Sequence, residues 1–306
     1  MKLKCVVIFT AFLWVTGHGI VQAQVIDPTD NNANYQKALS LYQSDAAADG
    51  IPYLENILKN SSTIKPAAYD LLGNIYDKLL QPDKAIEAYK AGIQLDPAYQ
   101  NLRFNLGLAY FRMKKYTDAE LSAIEAIKLD PKHANSLRLY GLVTFHQDKR
   151  VNALLAFCSF LLMDPNAPRA SEAYTNIQSI LKGGALKPGE GLPATDKNTI
   201  ALNNGLAAIM AAGKTKKLPP AELLEYQLKS IFIMAGQLSA KKQAKDFFDT
   251  YYADFFYKLA QSKYMHVFAQ LVGVSGDKEA SQKWQQENSQ QMTELNAWVK
   301  TTERNF

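Results

Sequence analysis

The chain is predicted to be all-α, a solenoid of helix-turn-helix units followed by a helical carboxy-terminal bundle. Three observations predict it. The phrase Leu95-Asp96-Pro97 returns as Leu129-Asp130-Pro131 and, loosely, as Met163-Asp164-Pro165, so the prolines stand 34 residues apart. Within each interval Leu72-Gly73 with Tyr76 becomes Leu106-Gly107 with Tyr110, then Tyr140-Gly141 with Thr144. Ala85, Ala119 and Ala153 keep the same spacing. A period of this length marks a repeat architecture, because one short unit cannot bury its own apolar face and must stack on its neighbours.

Each unit reads as two helices closed by a turn. In the first helix Tyr69, Leu72 and Tyr76 share one face, and Gly73 has no side chain to keep a partner helix away. In the second, Ala85, Tyr89 and Ile93 form the complementary stripe. Asp96-Pro97 then stops the helix, since proline lacks the amide hydrogen and disfavours helical geometry in the residue before it.

These residues resemble the tetratricopeptide-repeat family, whose 34-residue period and Leu-Gly, Tyr, Ala, aromatic and Pro pattern recur in three units at 66–99, 100–133 and 134–167. Departures are local. Arg103 replaces the first aromatic of the pattern, Ala123 the aromatic of the second helix, and the last unit has Tyr140 for Leu and Thr144 for Tyr. Upstream, Tyr35, Leu39 and Tyr42 followed by Ile51, Leu54 and Leu58 read as a degenerate first repeat over about 32–65. The resemblance implies a non-catalytic scaffold that holds a protein or peptide segment in its groove.

At the amino terminus, Lys2 and Lys4 precede an apolar run from Cys5 to Val15, and Val21-Gln22-Ala23 follows. That layout predicts a signal peptide over 1–23, export to the periplasm or beyond, and no stable membrane span after cleavage. The run falls short of the roughly 20 apolar residues that cross a bilayer. A mature chain over 24–306 would keep 32 basic and 29 acidic residues, a balance that gives no reason to expect a nucleic-acid partner. It would also keep Cys158 as its one cysteine, leaving packing rather than a disulfide to hold it together.

The solenoid is expected over 24–182, with a capping helix at 170–182. The Gly- and Pro-rich stretch 183–196 reads as a linker or loop. The carboxy-terminal region 197–306 carries candidate helices at 197–213, 220–239, 243–261, 263–273 and 277–302, with no period. In the third of these, Phe247, Phe248, Tyr251, Tyr252, Phe255 and Phe256 recur as pairs every four residues. A core stripe is the expected reading; an aromatic platform for glycan or lipid is the alternative.

Catalytic chemistry has little footing. His133, His146 and His266 show no metal-ligand spacing, and no cysteine pair or HExxH motif is present. His133 is expected in a solvated turn, and Cys158 inside an apolar second helix as an inert thiol. No acid–base pair stands out. No metal and no cofactor is expected; an enzyme with an unrecognised site in 197–306, or a glycan-binding or assembly protein of the envelope, stands as the alternative.

The groove is where binding is expected. Positions on each first helix turned roughly 130° from the packing face should line the concave surface. They are Asp70, Asn74 and Asp77 in the first clear unit, Phe104, Leu108 and Phe111 in the second, and Arg138, Leu142 and Phe145 in the third. Arg112 and Arg138 are expected at the edge of the apolar strip. Such a lining suits a segment with an apolar ridge and a basic flank.

Overall fold

A computed structural model describes residues 30–60, 62–183, 196–302 and 304. The signal segment expected at 1–23 and most of the linker at 183–196 lie outside the described residues. Within them every regular element is helical and no strand occurs. The chain is a solenoid of stacked helix pairs followed by further helices.

Helices α1 (Asn31–Gln43) and α2 (Ile51–Lys59), joined by a 3-10 turn at Ala47–Gly50, form the first pair. Three further pairs follow: α3 (Lys65–Lys78) with α4 (Pro82–Leu95), α5 (Gln100–Arg112) with α6 (Tyr116–Leu129), and α7 (Ala134–His146) with α8 (Arg150–Met163). Helix α9 (Ala170–Leu181) packs on α8. Close approach within a pair depends on glycine. A Cβ on Gly73 would fall 2.4 Å from the ring of Tyr89, and one on Gly141 would fall 2.9 Å from Phe157.

Both turn types of the repeat have a local cause. The first helices end in a left-handed residue at Leu80, Lys114 and Asp148, with φ of 58°, 57° and 58°. In each turn the next amide reaches five residues back: Gln81 to Tyr76, Lys115 to Tyr110 and Lys149 to Thr144, all at 2.9 Å. This is the Schellman closure, here made without glycine. The second helices end at Asp96 and Asp130, where Oδ1 accepts from the amide two residues on, Ala98 and Lys132, both at 3.0 Å. The aspartate thereby supplies a turn across the proline that follows it.

Beyond the repeats come α10 (Lys197–Thr215), α11 (Pro220–Ala240), a π-helical segment at Phe248–Ala253 running into α12 (Asp254–Gln261), α13 (Met265–Val274), α14 (Lys278–Glu287) and α15 (Ser289–Thr301). Two of the expected helices need correction. The one expected from 243 begins only at Phe247, because Asp246 and Asp249 cap each other's amides at 3.1 and 2.9 Å and so define the start. The one expected over 277–302 breaks at Asn288, whose backbone leaves helical geometry at φ −112° and ψ 30° while its side chain donates to the Trp284 carbonyl at 2.9 Å, a local side-chain bond that competes with the helix ladder.

The aromatic stripe is core. Phe248, Tyr251, Tyr252, Phe255 and Phe256 are buried and Phe247 is half-buried, so the stripe offers no exposed platform. Pairs repeating every four residues drift by roughly 40° per step on an α-helix at about 100° per residue, and the wider π turn takes up that drift. The carboxy-terminal elements make their main contacts with the repeats through α8. That accounts for α8 being buried on every side from Val151 to Leu162.

Candidate partner-binding groove

The first helices of successive pairs, α3, α5 and α7, pack against one another more closely than the second helices do. The stack therefore curves with the first helices on its inner side. Asp70, Asn74 and Asp77 lie on α3, Phe104, Leu108, Phe111 and Arg112 on α5, and Arg138, Leu142 and Phe145 on α7.

Phe104, Leu108, Phe111, Leu142 and Phe145 are each half-buried against the core. Their rings are held by neighbours rather than free. Phe104 meets the His133 ring edge-on at 5.0 Å, and Phe111 meets His146 at 5.2 Å and Tyr116 at 5.8 Å. His146 in turn stacks on Tyr116 at 5.0 Å. The histidines thus belong to the apolar strip. His133, expected in a solvated turn, is half-buried, with Nδ1 2.7 Å from Ser136 Oγ and 2.9 Å from Gln100 Nε2. Burial holds its pKa below the ordinary value, against the pull of Asp130.

The charged residues expected at the edge are engaged between repeats. Arg112 pairs with Asp77, and Arg138 forms a two-pronged pair with Glu172 at 2.7 and 3.0 Å. Neither arginine is a free basic flank. Asp70 accepts from Asn105 Nδ2 at 2.8 Å in the same way. These partners are 34 or 35 residues apart, one repeat, so each position faces its counterpart on the next first helix. Complementary residue types one period apart were the sequence signal for this pairing.

Asp70 differs from the others because, among the described residues, no cation lies within ion-pair distance of it. Burial raises its pKa to about 6, with the Asn105 hydrogen bond pulling the other way. Tyr35, Tyr89 and Tyr99 lie near enough to feel its charge. Burial raises their pKa values, and the charge of Asp70 adds to the effect in all three. Nearby, Tyr89 donates to Asn74 Oδ1 at 2.8 Å. The inner face therefore combines half-buried apolar rings with one uncompensated carboxylate near three tyrosines. The repeat pattern pointed to Asp70 but not to the tyrosines, which belong to three different elements.

Elsewhere the chemistry is sparse. Cys158 is buried, and burial pushes its thiol pKa up, away from nucleophilic use. Among the described residues no group of three His, Cys, Asp or Glu side chains could hold a metal ion, and no helix is long and apolar enough to cross a membrane.

A sequence profile described as TPR repeat matches residues 73–114, and one described as tetratricopeptide repeat matches residues 101–133. No curated protein matches the chain. A solved structure titled as the functional characterisation of Pseudomonas aeruginosa pilF is 17% identical, covers 84% of this chain and 97% of that one, and superposes with a TM-score of 0.45. A tetratricopeptide repeat protein from Parabacteroides merdae is 13% identical, covers 79% of this chain and 98% of that one, with a TM-score of 0.43.

Proposed function

From the tetratricopeptide repeats matched within residues 73–133 as premise, we propose that this protein is an exported, non-catalytic scaffold of the bacterial cell envelope that holds a segment of another protein along α3, α5 and α7. Repeats of this kind mediate protein and peptide binding and are typically non-catalytic. The observation that carries the reading is the apolar strip on the inner side of the stack, while the carboxy-terminal helices make their main contacts with α8. Clustered apolar area that a chain leaves partly open marks an interaction site. Asp70 adds a preference, because a cationic group on the partner would compensate a carboxylate that the chain leaves without one.

Capture tests this directly. The mature protein is cross-linked in its native envelope, the recurring partner is identified, and Phe111→Ala and Phe145→Ala are compared with wild type. One apolar side chain buried in a partner contributes roughly 1.5–3 kcal/mol, so each variant should weaken binding on the order of tenfold to a hundredfold with folding intact. Variants that lower the melting temperature yet leave capture unchanged would make the strip core and end the proposal. Export is tested separately, by amino-terminal sequencing, with Gln24 as the expected first residue.

A further inference from the structure

Away from the groove, a pocket of about 560 Å³ opens between α9, α11, α13 and α14, where the end of the repeats meets the carboxy-terminal helices. Two aromatic residues, Tyr174 of α9 and Trp284 of α14, line it. The charged or chargeable residues in its lining are Glu222, Glu225 and His266; no lysine or arginine is among them. His266 Nδ1 lies 2.7 Å from Glu225 Oε2. Two carboxylates against at most one imidazolium keep the pocket negative whether or not His266 is protonated. This is the reverse of the chain as a whole, which carries a formal charge of +5.

The aromatic walls are held in place. A Cβ on Gly276 would fall 2.7 Å from the Tyr174 ring, so the ring lies against that turn only because residue 276 is glycine. Ser171 on the same helix donates to the Gly276 carbonyl at 3.0 Å. Next to Trp284, Gln285 exchanges hydrogen bonds with Asn166 at 3.3 and 3.2 Å, tying α14 to the loop that ends the repeats. Gly273, exposed in the lining, leaves space where any other residue would project. A Cβ there would meet only Leu224, at an ordinary 3.5 Å.

Aromatic faces attract organic cations, and neighbouring carboxylates strengthen the attraction where water is partly excluded. We propose that this pocket binds an alkylammonium group, with Trp284 and Tyr174 against its carbon skeleton and Glu222 and Glu225 facing its charge. The group could be a small free amine or a lysine side chain, and two probes separate these sources. Binding of 1,5-diaminopentane and of Nα-acetyl-lysine methylamide is measured by calorimetry on the full chain, with malonate as an anionic control. Binding of the diamine alone points to a free amine; binding of the lysine derivative, with or without the diamine, points to a lysine side chain.

Trp284→Ala should weaken binding by about two- to thirtyfold, and Glu222→Gln by up to about fivefold. Gly273→Leu should abolish it by filling the space. Glu222 is exposed, so its variant reports on the pocket even if Trp284→Ala disturbs folding. The proposal is overturned if neither amine binds saturably, if malonate binds as well as the amines, or if Gly273→Leu and Glu222→Gln both leave binding unchanged. It stands or falls independently of the groove.

Discussion

The repeat stack and the carboxy-terminal helices use the same packing device, a glycine beneath an aromatic ring, yet only one of them announces it. In the repeats a Cβ on Gly73 would strike Tyr89, and one on Gly141 would strike Phe157, each partner lying 16 residues on. In the carboxy-terminal region a Cβ on Gly236 of α11 would fall 2.5 Å from the Cβ of Tyr257 on α12. The contact is as close, but no second copy of its spacing exists. Repetition makes a packing rule legible in sequence; the physics of the contact is the same in both halves.

A polar cluster at the start of the π-helical segment is the strongest place to break this parallel, because its Asp249 is more deeply buried than any ion-paired carboxylate among the described residues of the repeats. Lys242 donates to Asp249 at 2.7 Å and to Asp246 at 3.1 Å, and Asp249 is 1% exposed. Burial opposes the charge on Lys242, but its bonds to the two aspartates outweigh it and hold the pKa above the ordinary value. Asp249→Ala removes the capping acceptor and leaves Lys242 with a single partner. It should cost about 3 kcal/mol in urea denaturation. A loss below about 1 kcal/mol would show that the cluster is merely tolerated.

Next come the glycines. Gly73→Ala and Gly236→Ala should each destabilise by about 1–3 kcal/mol through overpacking. Gly236→Ala is expected to be the worse, since it meets the root of the Tyr257 side chain, which cannot swing away. Gly107→Ala should be milder than either, because its nearest obstacle is a Leu139 methyl at 2.9 Å. Equal effects at all three sites would mean that the neighbours relax freely.

Asp70 sharpens the comparison from the functional side. Its pKa of about 6 in the folded chain exceeds the ordinary 3.8, so between those values the folded state binds the proton more tightly than the unfolded one. Ionisation therefore destabilises the fold above pH 6, and that penalty is relieved as the pH falls through 6 towards 3.8. Asp70→Asn should raise stability at pH 7 by about 1–3 kcal/mol and give no gain at the acid end. The same variant should weaken capture of a partner with a cationic side chain. A pH-independent gain would place the effect elsewhere.

The smallest effects belong to the turns. Leu80, Lys114 and Asp148 hold left-handed backbone that glycine adopts without strain, so Leu80→Gly and Lys114→Gly should stabilise by up to about 1 kcal/mol in thermal melts. Asp148→Gly should gain less, because aspartate tolerates this geometry better and its carboxylate pairs with Arg150 at 2.7 Å.

Much of the inner face was legible in the residue pattern. The 34-residue period placed Asp70, Phe104, Phe111, Arg138 and Phe145 on first helices, and those helices line the inner side. What could not be read is which of these residues are engaged. The pairing of Arg112 with Asp77 and of Arg138 with Glu172 depends on the offset between neighbouring repeats, and the settling of His133 beneath Phe104 depends on the same offset.

By itself the sequence determined the helix pairs, their boundaries at Leu-Asp-Pro and the small residues where helices touch, because each is a local rule repeated and repetition averages out exceptions. Tertiary structure alone decided the π-helical segment, the break at Asn288 and the seating of the carboxy-terminal helices on α8. It also decided contacts such as the Tyr251 hydroxyl donating to the Pro131 carbonyl at 2.7 Å across 120 residues of chain. Such contacts arise once in the molecule and leave no periodic trace, so their energy enters only when distant segments are brought together.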